Sequence, residues 1–469
     1  MVRLLAVALF LWSAWRAVNL SITIDEAFTF NRFASGGFAG VFLSGFDANN
    51  HVLHSALAAL STRVFGIHEF ALRLPALLGA AVFLWVLPGL LRRLLPGAVW
   101  QQALAMVVLA GNPLTLDLLC LARGYSLALG LFALALARLL AYSDTQERRE
   151  LYGMSIALGL CVSANLTFGY VALATMIAAV AVAWQRGRGV AHGWAAVWPA
   201  LLIAAFVLML PLSRAEGGSF YFGATTLRSS AETTTDAFLL HDPENLGPMG
   251  GERVRARFAR RFLPVAAIVL GLLCLGWWLR GRHRDVTLLA GVLYCALGGY
   301  WVAHMWLRSP YPSERTGLSL VFLFLLCLAA AAGRLRYLEW NWWAIGVPAC
   351  LVFGGLALQF ALTSDPRFVW AWYDERDNRA MVDFLEQKQV RRVSSHWMFQ
   401  PALEFYRAAG RLPGLQPVVQ QMGDTPLLQD HDAYILLKTD TRLLQNKGLS
   451  VAWRSSASNV FVALPGENR

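Results

Sequence analysis

Ionised side chains are scarce in this 469-residue chain. Only 15% of residues are charged, against roughly 25% in soluble globular domains, and just three are lysines, Lys388, Lys438 and Lys447, all in the last quarter. That shortage excludes a water-soluble enzyme. The last hundred or so residues hold no cysteine, no glycine-rich phosphate loop and no cluster of metal ligands. Whatever folds there does so without disulfides, and it offers no nucleotide-binding motif. The six cysteines, Cys120, Cys161, Cys274, Cys295, Cys327 and Cys350, fall inside apolar stretches with no metal-ligand spacing. They are read as small core residues rather than bridges.

Apolar sequence is abundant: 57% of residues are hydrophobic and mean hydropathy is +0.49. Runs long enough to cross a hydrocarbon core of about 30 Å recur from residue 4 to residue 362. Eleven spans are expected, near 4–20, 72–91, 98–116, 121–141, 151–164, 166–184, 194–212, 262–279, 286–306, 317–333 and 342–362. The first resembles a signal peptide, but Trp15 and Arg16 interrupt it and no small-x-small step follows, so it is read as an uncleaved span.

The formal charge of +11 does not point to nucleic acid, because the arginines lie in short clusters between spans. Arg92-Arg93, Arg148-Arg149, Arg186-x-Arg188, Arg280-x-Arg282-x-Arg284 and Arg334-x-Arg336 all fall on one side, which the positive-inside rule makes cytoplasmic. The loop 213–261, with Arg253, Arg255, Arg257, Arg260 and Arg261, departs from that pattern, although long loops cross regardless of charge. The expected arrangement is a bacterial inner-membrane protein with a cytoplasmic N-terminus. Its outer segments are a first loop 21–70, a long loop 213–261 and the tail.

Residues 1–362 thus form a transmembrane domain and residues 363–469 a small extracytoplasmic α/β domain. In the tail, 376–389 and 401–409 carry helical apolar spacing, whereas 390–395, 433–437, 449–453 and 460–464 alternate as strands do. A modulatory or docking role suits this domain.

The most informative stretch lies just past the first span, Ile22-Thr23-Ile24-Asp25-Glu26-Ala27. Two explanations fit the acidic pair. Thr23 or Asp25 can cap a helix running toward Phe33, or Asp25 can act as a general base at the bilayer surface. Asp47-x-Asn49-Asn50-His51-x-x-His54 then leads into a helical run, 55–65. A His pair three apart shares a helix face and suits phosphate contact, simple hydrogen bonding or a metal, but no third ligand is in register. Arg73, before Pro75, either snorkels to headgroups or binds an anion. Asp117, Arg123-Gly124-Tyr125 and Tyr311-Pro312-Ser313-Glu314-Arg315 place further polar groups at outer span ends, where ionisable residues tend to face a cavity.

Taken in order, Asp25-Glu26-Ala27, Asn50-His51, Phe65-Gly66-x-x-Glu69-Phe70-Ala71-x-Arg73-Leu74-Pro75, Ala122-Arg123-Gly124-Tyr125 and Tyr311-Pro312-x-Glu314-Arg315 resemble the family 39/83-like integral membrane glycosyltransferases. These belong to the GT-C superfamily, with the protein O-mannosyltransferases and the lipid A aminoarabinose transferase as relatives. The resemblance covers about residues 1–335.

It implies transfer of a hexosyl or pentosyl group, with inversion, from a polyprenyl-phosphate donor to a lipid, glycan or protein hydroxyl on the outer side of the membrane. Asp25 matches the family's first-loop catalytic aspartate and Glu26 its usual neighbour. The basic-Pro or Pro-Pro step of many relatives is replaced here by Asn50-His51-Val52. Donor phosphate contact therefore falls to His51, Arg73, Arg123 and Arg315, and substrate contact to Asn50, His54, Asp117, Tyr125, Tyr311 and Glu314. No cofactor is required, although Asp25-Glu26 with His51 or His54 has the chemistry to hold a divalent cation. The competing class is a transporter or flippase of a lipid-linked saccharide, but no repeated halves are visible.

Overall fold

A computed structural model describes residues 1–216, 219–220, 222–239, 251–335, 342–363, 365–421, 431–440, 449–456 and 458–465. Part of the expected long loop, 240–250, and Arg336 of the last basic connection lie outside the described residues.

The apolar runs become helices. Among the described residues, eight are long and apolar enough to cross a membrane, or up to nine if the bent pair Val99–Ala110 with Pro113–Cys120 is one span. Two of the expected eleven fall outside that count. Arg148–Ala164 is a 17-residue helix, short for a span, and the expected span 342–362 overlaps residues whose side chains lie outside the described set. Large apolar side chains remain exposed along these helices, as on Val2–Asn19, where Leu4, Val7, Leu11 and Trp15 follow one another at helical spacing. Such stripes would be insoluble in water and suit a lipid surround.

The bend in the third span is written locally. Pro113 has no N–H to continue the preceding helix, and the two helices meet at 64°. Asn112 closes both ends. Its Nδ2 donates to the carbonyls of Val108 (2.9 Å) and Leu109 (3.1 Å), and its Oδ1 accepts from the Thr115 amide (2.9 Å). Elsewhere glycine allows helices to touch. A Cβ on Gly79 would meet the Leu127 amide nitrogen at 2.3 Å, and one on Gly130 would meet the Gly79 carbonyl at 2.4 Å. Helices Glu69–Leu94 and Gly124–Thr145 therefore pack backbone to backbone.

The chain divides into two compact units. One comprises Met1–Trp15, Gly45–His54 and Pro75–Asp365; the other comprises Arg16–Ser44, Ser55–Leu74 and Pro366–Arg469. Most of the first loop is thus grouped with the tail, whereas along the sequence the natural boundary is 362/363.

Within the second unit, five strands form one sheet: β1 (Val393–His396), β2 (Val419–Gln421), β3 (Ala433–Leu437), β4 (Leu449–Arg454) and β5 (Val460–Pro465). Their order is β2-β1-β3-β5-β4. β1 runs parallel to β2 and β3, and β5 runs antiparallel to β3 and β4. Helices Asn378–Gln387 and Gln400–Ala408 bury Met381, Val382 and Leu385, and Leu403, Phe405 and Tyr406. Four of these strands match expected ones. β2 was not expected, because Val419-Gln420-Gln421 is short and mostly polar.

Candidate active site

In the second unit the sequence around Asp25 starts a helix, Ile24–Arg32. Thr23, not Asp25, is its cap. The Thr23 hydroxyl accepts from the Glu26 amide (3.4 Å), and Glu26 Oε2 accepts from the Thr23 amide (3.1 Å), a capping box. Asp25 stands half-buried in the first turn, with its Oδ2 shielded from solvent.

Glu26 and Arg73 are both fully buried. Arg73 Nε donates to Glu26 Oε1 (2.8 Å) and Nη2 to Oε2 (2.7 Å). Nη1 donates to the carbonyls of Ala17 (3.1 Å) and Leu20 (2.7 Å), and Nη2 to that of Ser21 (2.8 Å). Those five bonds use all five N–H groups of a guanidinium. Arg73 thus has no donor left for a phosphate, and Glu26 has both oxygens occupied. The geometry gives this pair the work of fixing the end of the first span against the helix that carries Asp25.

The tail reaches the same place. Glu375 accepts from the Ile24 amide. Asn378 Nδ2 donates to the Ile22 carbonyl (2.9 Å) and the Ser21 hydroxyl to that of Arg376 (2.8 Å). Arg379 and the Tyr406 hydroxyl both donate to Glu69 Oε1, at 2.8 Å and 2.7 Å. Burial pushes the Glu375 carboxyl well above the ordinary range, and the nearby Asp25, Glu26 and Asp374 add to the rise, against the pull of the Ile24 amide. Sequence reasoning missed Glu375, Asn378 and Arg379. The only local signal was the dense charge of Asp374-Glu375-Arg376-Asp377 after an aromatic stretch.

The first unit gathers a second cluster. Asp47 accepts from the Asn49 amide (2.8 Å), and this Asx turn delivers Asn50 and His51 to the start of helix Val52–Phe65. His51 packs edge-on against Tyr125, ring centroids 5.3 Å apart. Gly124 makes that approach possible, since a Cβ there would meet the Ala164 carbonyl at 1.9 Å and His51 Cβ at 2.8 Å. Arg123, buried at the start of helix Gly124–Thr145, donates from Nη2 to Asn49 Oδ1 (2.9 Å). Asn49, named in that stretch of sequence without a role, is thus the partner of Arg123.

His51 and His54 are buried. Among the described residues, His51 Nε2 and both ring nitrogens of His54 have no hydrogen-bond partner. Burial lowers the proton affinity of both. His54 falls to about 3, with Arg123 contributing, and His51 falls well below its usual value, with Arg123, His54 and Arg315 contributing. Both imidazoles are therefore neutral at pH 7.

Arg315 lies on the one-turn 3₁₀ helix Glu314–Gly317. Its guanidinium stands 4.7 Å above the Phe222 ring and 3.6 Å from the Glu314 carboxylate. Glu314 has φ of 47°, a left-handed conformation costly for a residue with a side chain. Asn50 and Asp117 are buried, Asp117 in helix Pro113–Cys120 just ahead of Arg123. Tyr311 packs in an aromatic group, stacked 4.2 Å from His304 and beside Tyr300, with its backbone paired to Ala224. Among the described residues no group of three or more His, Cys, Asp or Glu is arranged to hold a metal ion.

The architecture, a set of long apolar helices followed by a small C-terminal sheet, is shared with solved membrane-embedded glycosyltransferase structures. It superposes on ArnT from Cupriavidus metallidurans, solved bound to undecaprenyl phosphate and in the apo state. The TM-score is 0.50 and the identity 14% in both cases; the match covers 99% of this chain and 98% or 97% of that one. It also superposes on the arabinofuranosyltransferase AftD from Mycobacteria, with a TM-score of 0.50 and 15% identity, over 100% of this chain but only 40% of AftD. At such identities the likeness is one of fold. No protein-family model matches the chain, and no curated protein matches it in sequence.

Proposed function

We propose that this chain is an inverting glycosyltransferase that moves a sugar, hexosyl or pentosyl, from a polyprenyl-phosphate donor to a hydroxyl acceptor on the outer side of the membrane. In this reading residues 1–362 are the catalytic part, the N-terminus is cytoplasmic, and the tail from 363 is extracytoplasmic and modulatory. The observation that carries the proposal is the buried polar cluster of the first unit. Two neutral, buried imidazoles with unpartnered ring nitrogens, with Arg123 acting on both and Arg315 on His51, are set in a fold shared with a protein solved with undecaprenyl phosphate.

Asp25 takes the proton of the acceptor hydroxyl as its oxygen bonds to the anomeric carbon. A carboxylate suffices as the base, because the hydroxyl becomes acidic as the bond forms. The bond from the anomeric carbon to the phosphate oxygen breaks, and its electron pair leaves with the polyprenyl phosphate. Arg123 and Arg315 stabilise that charge, and His51 and His54, each with one N–H, add neutral donors. Asn50, Tyr125, Glu314, Tyr311 and Asp117 border the substrate in this scheme. Arg73 and Glu26 support the base and do not touch the phosphate. The donor arrives lipid-linked, so no cofactor is needed.

Asp25→Asn tests the proposal in membranes supplied with the cell's own lipid-linked sugar pool, with transfer read by mass spectrometry of lipids and surface glycans. Loss of product by about 10²–10⁴-fold is expected, with normal insertion. Undiminished transfer would remove Asp25 from the mechanism. Movement of the lipid-sugar across vesicles without any acceptor product would favour a transporter.

A further inference from the structure

Away from both clusters, a cavity of about 750 Å³ opens among helices Val2–Asn19, Glu69–Leu94 and Gly124–Thr145. Phe10, Ala81, Leu84 and Leu134 give it apolar walls, and Trp85, 84% exposed, stands beside them. Four arginines line it as well. Arg3 comes from the first turn of the first helix, Arg92 and Arg93 from the last turn of the second, and Arg138 from the third.

Two of those charges are already met. Arg93 pairs with Asp144 (2.8 Å) and Asp285 (2.9 Å), and Arg138 with Glu150 (3.0 Å). Arg3 and Arg92 are exposed and have no carboxylate partner among the described residues. The Arg92 Nε donates only to the Pro88 carbonyl one turn back, at 3.3 Å. An apolar groove with two uncompensated cations at its border calls for a ligand that is a hydrocarbon at one end and an anion at the other. A neutral lipid would satisfy only the walls, and free phosphate only the arginines.

We propose that this groove binds an anionic phospholipid, with an acyl chain along the Phe10 and Leu134 walls and the phosphate between Arg3 and Arg92. Basic residues at the membrane end of helices attract such headgroups at about one charge-worth of affinity each. The groove is distinct from the cluster of His51 and Arg123. Arg138 and Arg123 belong to opposite parts of one helix, 15 residues apart, which is about 22 Å along its axis. The proposal stands whether or not the chain transfers a sugar.

The test is lipid retention by the full-length protein, purified in detergent and incubated with equimolar phosphatidylglycerol and phosphatidylcholine, then analysed by native mass spectrometry. Phosphatidylglycerol should be retained preferentially. The double variant Arg3→Gln/Arg92→Gln should lose that preference by about 10–30-fold. Gly89→Leu supplies a variant with no change of charge. Gly89 lines the groove, and a Cβ there meets nothing within 4 Å. The leucine should fill the space, improve the helix and reduce retention of phosphatidylglycerol. Equal retention of the two lipids, or an unchanged preference in both variants, would overturn the proposal. Displacement of phosphatidylglycerol by equimolar undecaprenyl phosphate would also overturn it, by giving the groove to a prenyl lipid.

Discussion

Arg73 holds Glu26 by two parallel bonds, Nε to Oε1 at 2.8 Å and Nη2 to Oε2 at 2.7 Å, with both side chains fully buried. The same guanidinium carries the carbonyls of Ala17, Leu20 and Ser21. Removing either partner leaves a buried charge uncompensated, so Glu26→Gln or Arg73→Ala should cost about 3–5 kcal/mol. Arg73→Lys should not rescue, because an ammonium cannot reproduce the fork. Replacing both charges with apolar residues should also fail, since three carbonyls would then be orphaned. Thermal midpoints in detergent check each case. A wild-type midpoint for Arg73→Lys would contradict the role.

Arg123 and Arg315 are expected to act on the donor rather than on the fold. Alanine at either should cost about 1.5–3 kcal/mol of donor use, the value of a charge-assisted hydrogen bond. The measurement is transfer at limiting and at saturating donor, alongside the thermal midpoint. If donor dependence is unchanged while stability falls, Arg315 serves chiefly as the cation over Phe222.

The buried histidines predict sensitivity to acid. His54 is held to about 3, well below its usual 6.5, by burial and by Arg123. Below pH 6.5 the unfolded chain therefore binds a proton that the folded chain refuses, and stability falls as pH falls. The slope approaches about 1.4 kcal/mol per pH unit. His54→Asn should flatten the pH dependence of the thermal midpoint between pH 4 and 6.5. An unchanged slope would mean that another group dominates.

Glu375 predicts the opposite trend. Burial raises its carboxyl, so above the ordinary carboxylate range the folded state holds a proton that the unfolded state has released. Stability from this group is complete at low pH and is lost as pH rises toward the folded value. Glu375→Gln keeps an acceptor for the Ile24 amide and removes the ionisation. It should therefore raise the thermal midpoint at pH 7–8 and leave it unchanged near pH 4. A fall at neutral pH would show that the charge itself is needed there.

The helices and most of the tail's strands were legible because hydrophobic period and length are local properties. The helix start was legible as a cap at Thr23 or Asp25, and the structure makes Thr23 the cap. The break at 111–113 was also written locally, in Gly111-Asn112-Pro113, but an unbroken apolar window conceals it. What stayed hidden depends on residues far apart in the chain. Arg73 carries the same snorkelling or anion-binding signature whether it faces water or Glu26, 47 residues away. Nothing near Asp25 announces a partner 351 residues from Ile24. Conversely, Asn50-His51 ahead of an apolar helix and Arg123-Gly124-Tyr125 at a span's end stand out by type and position alone, and the structure brings His51, Arg123 and Tyr125 near one another.

The bonds from Glu375, Arg376, Asn378 and Arg379 to the segment 18–24 bear on protein engineering. The tail is not a detachable module that relatives could exchange by splicing at residue 365. A donor sequence for the sheet would have to bring its own counterparts of 16–44 and 55–74, so three separate stretches of gene would need to be inherited together.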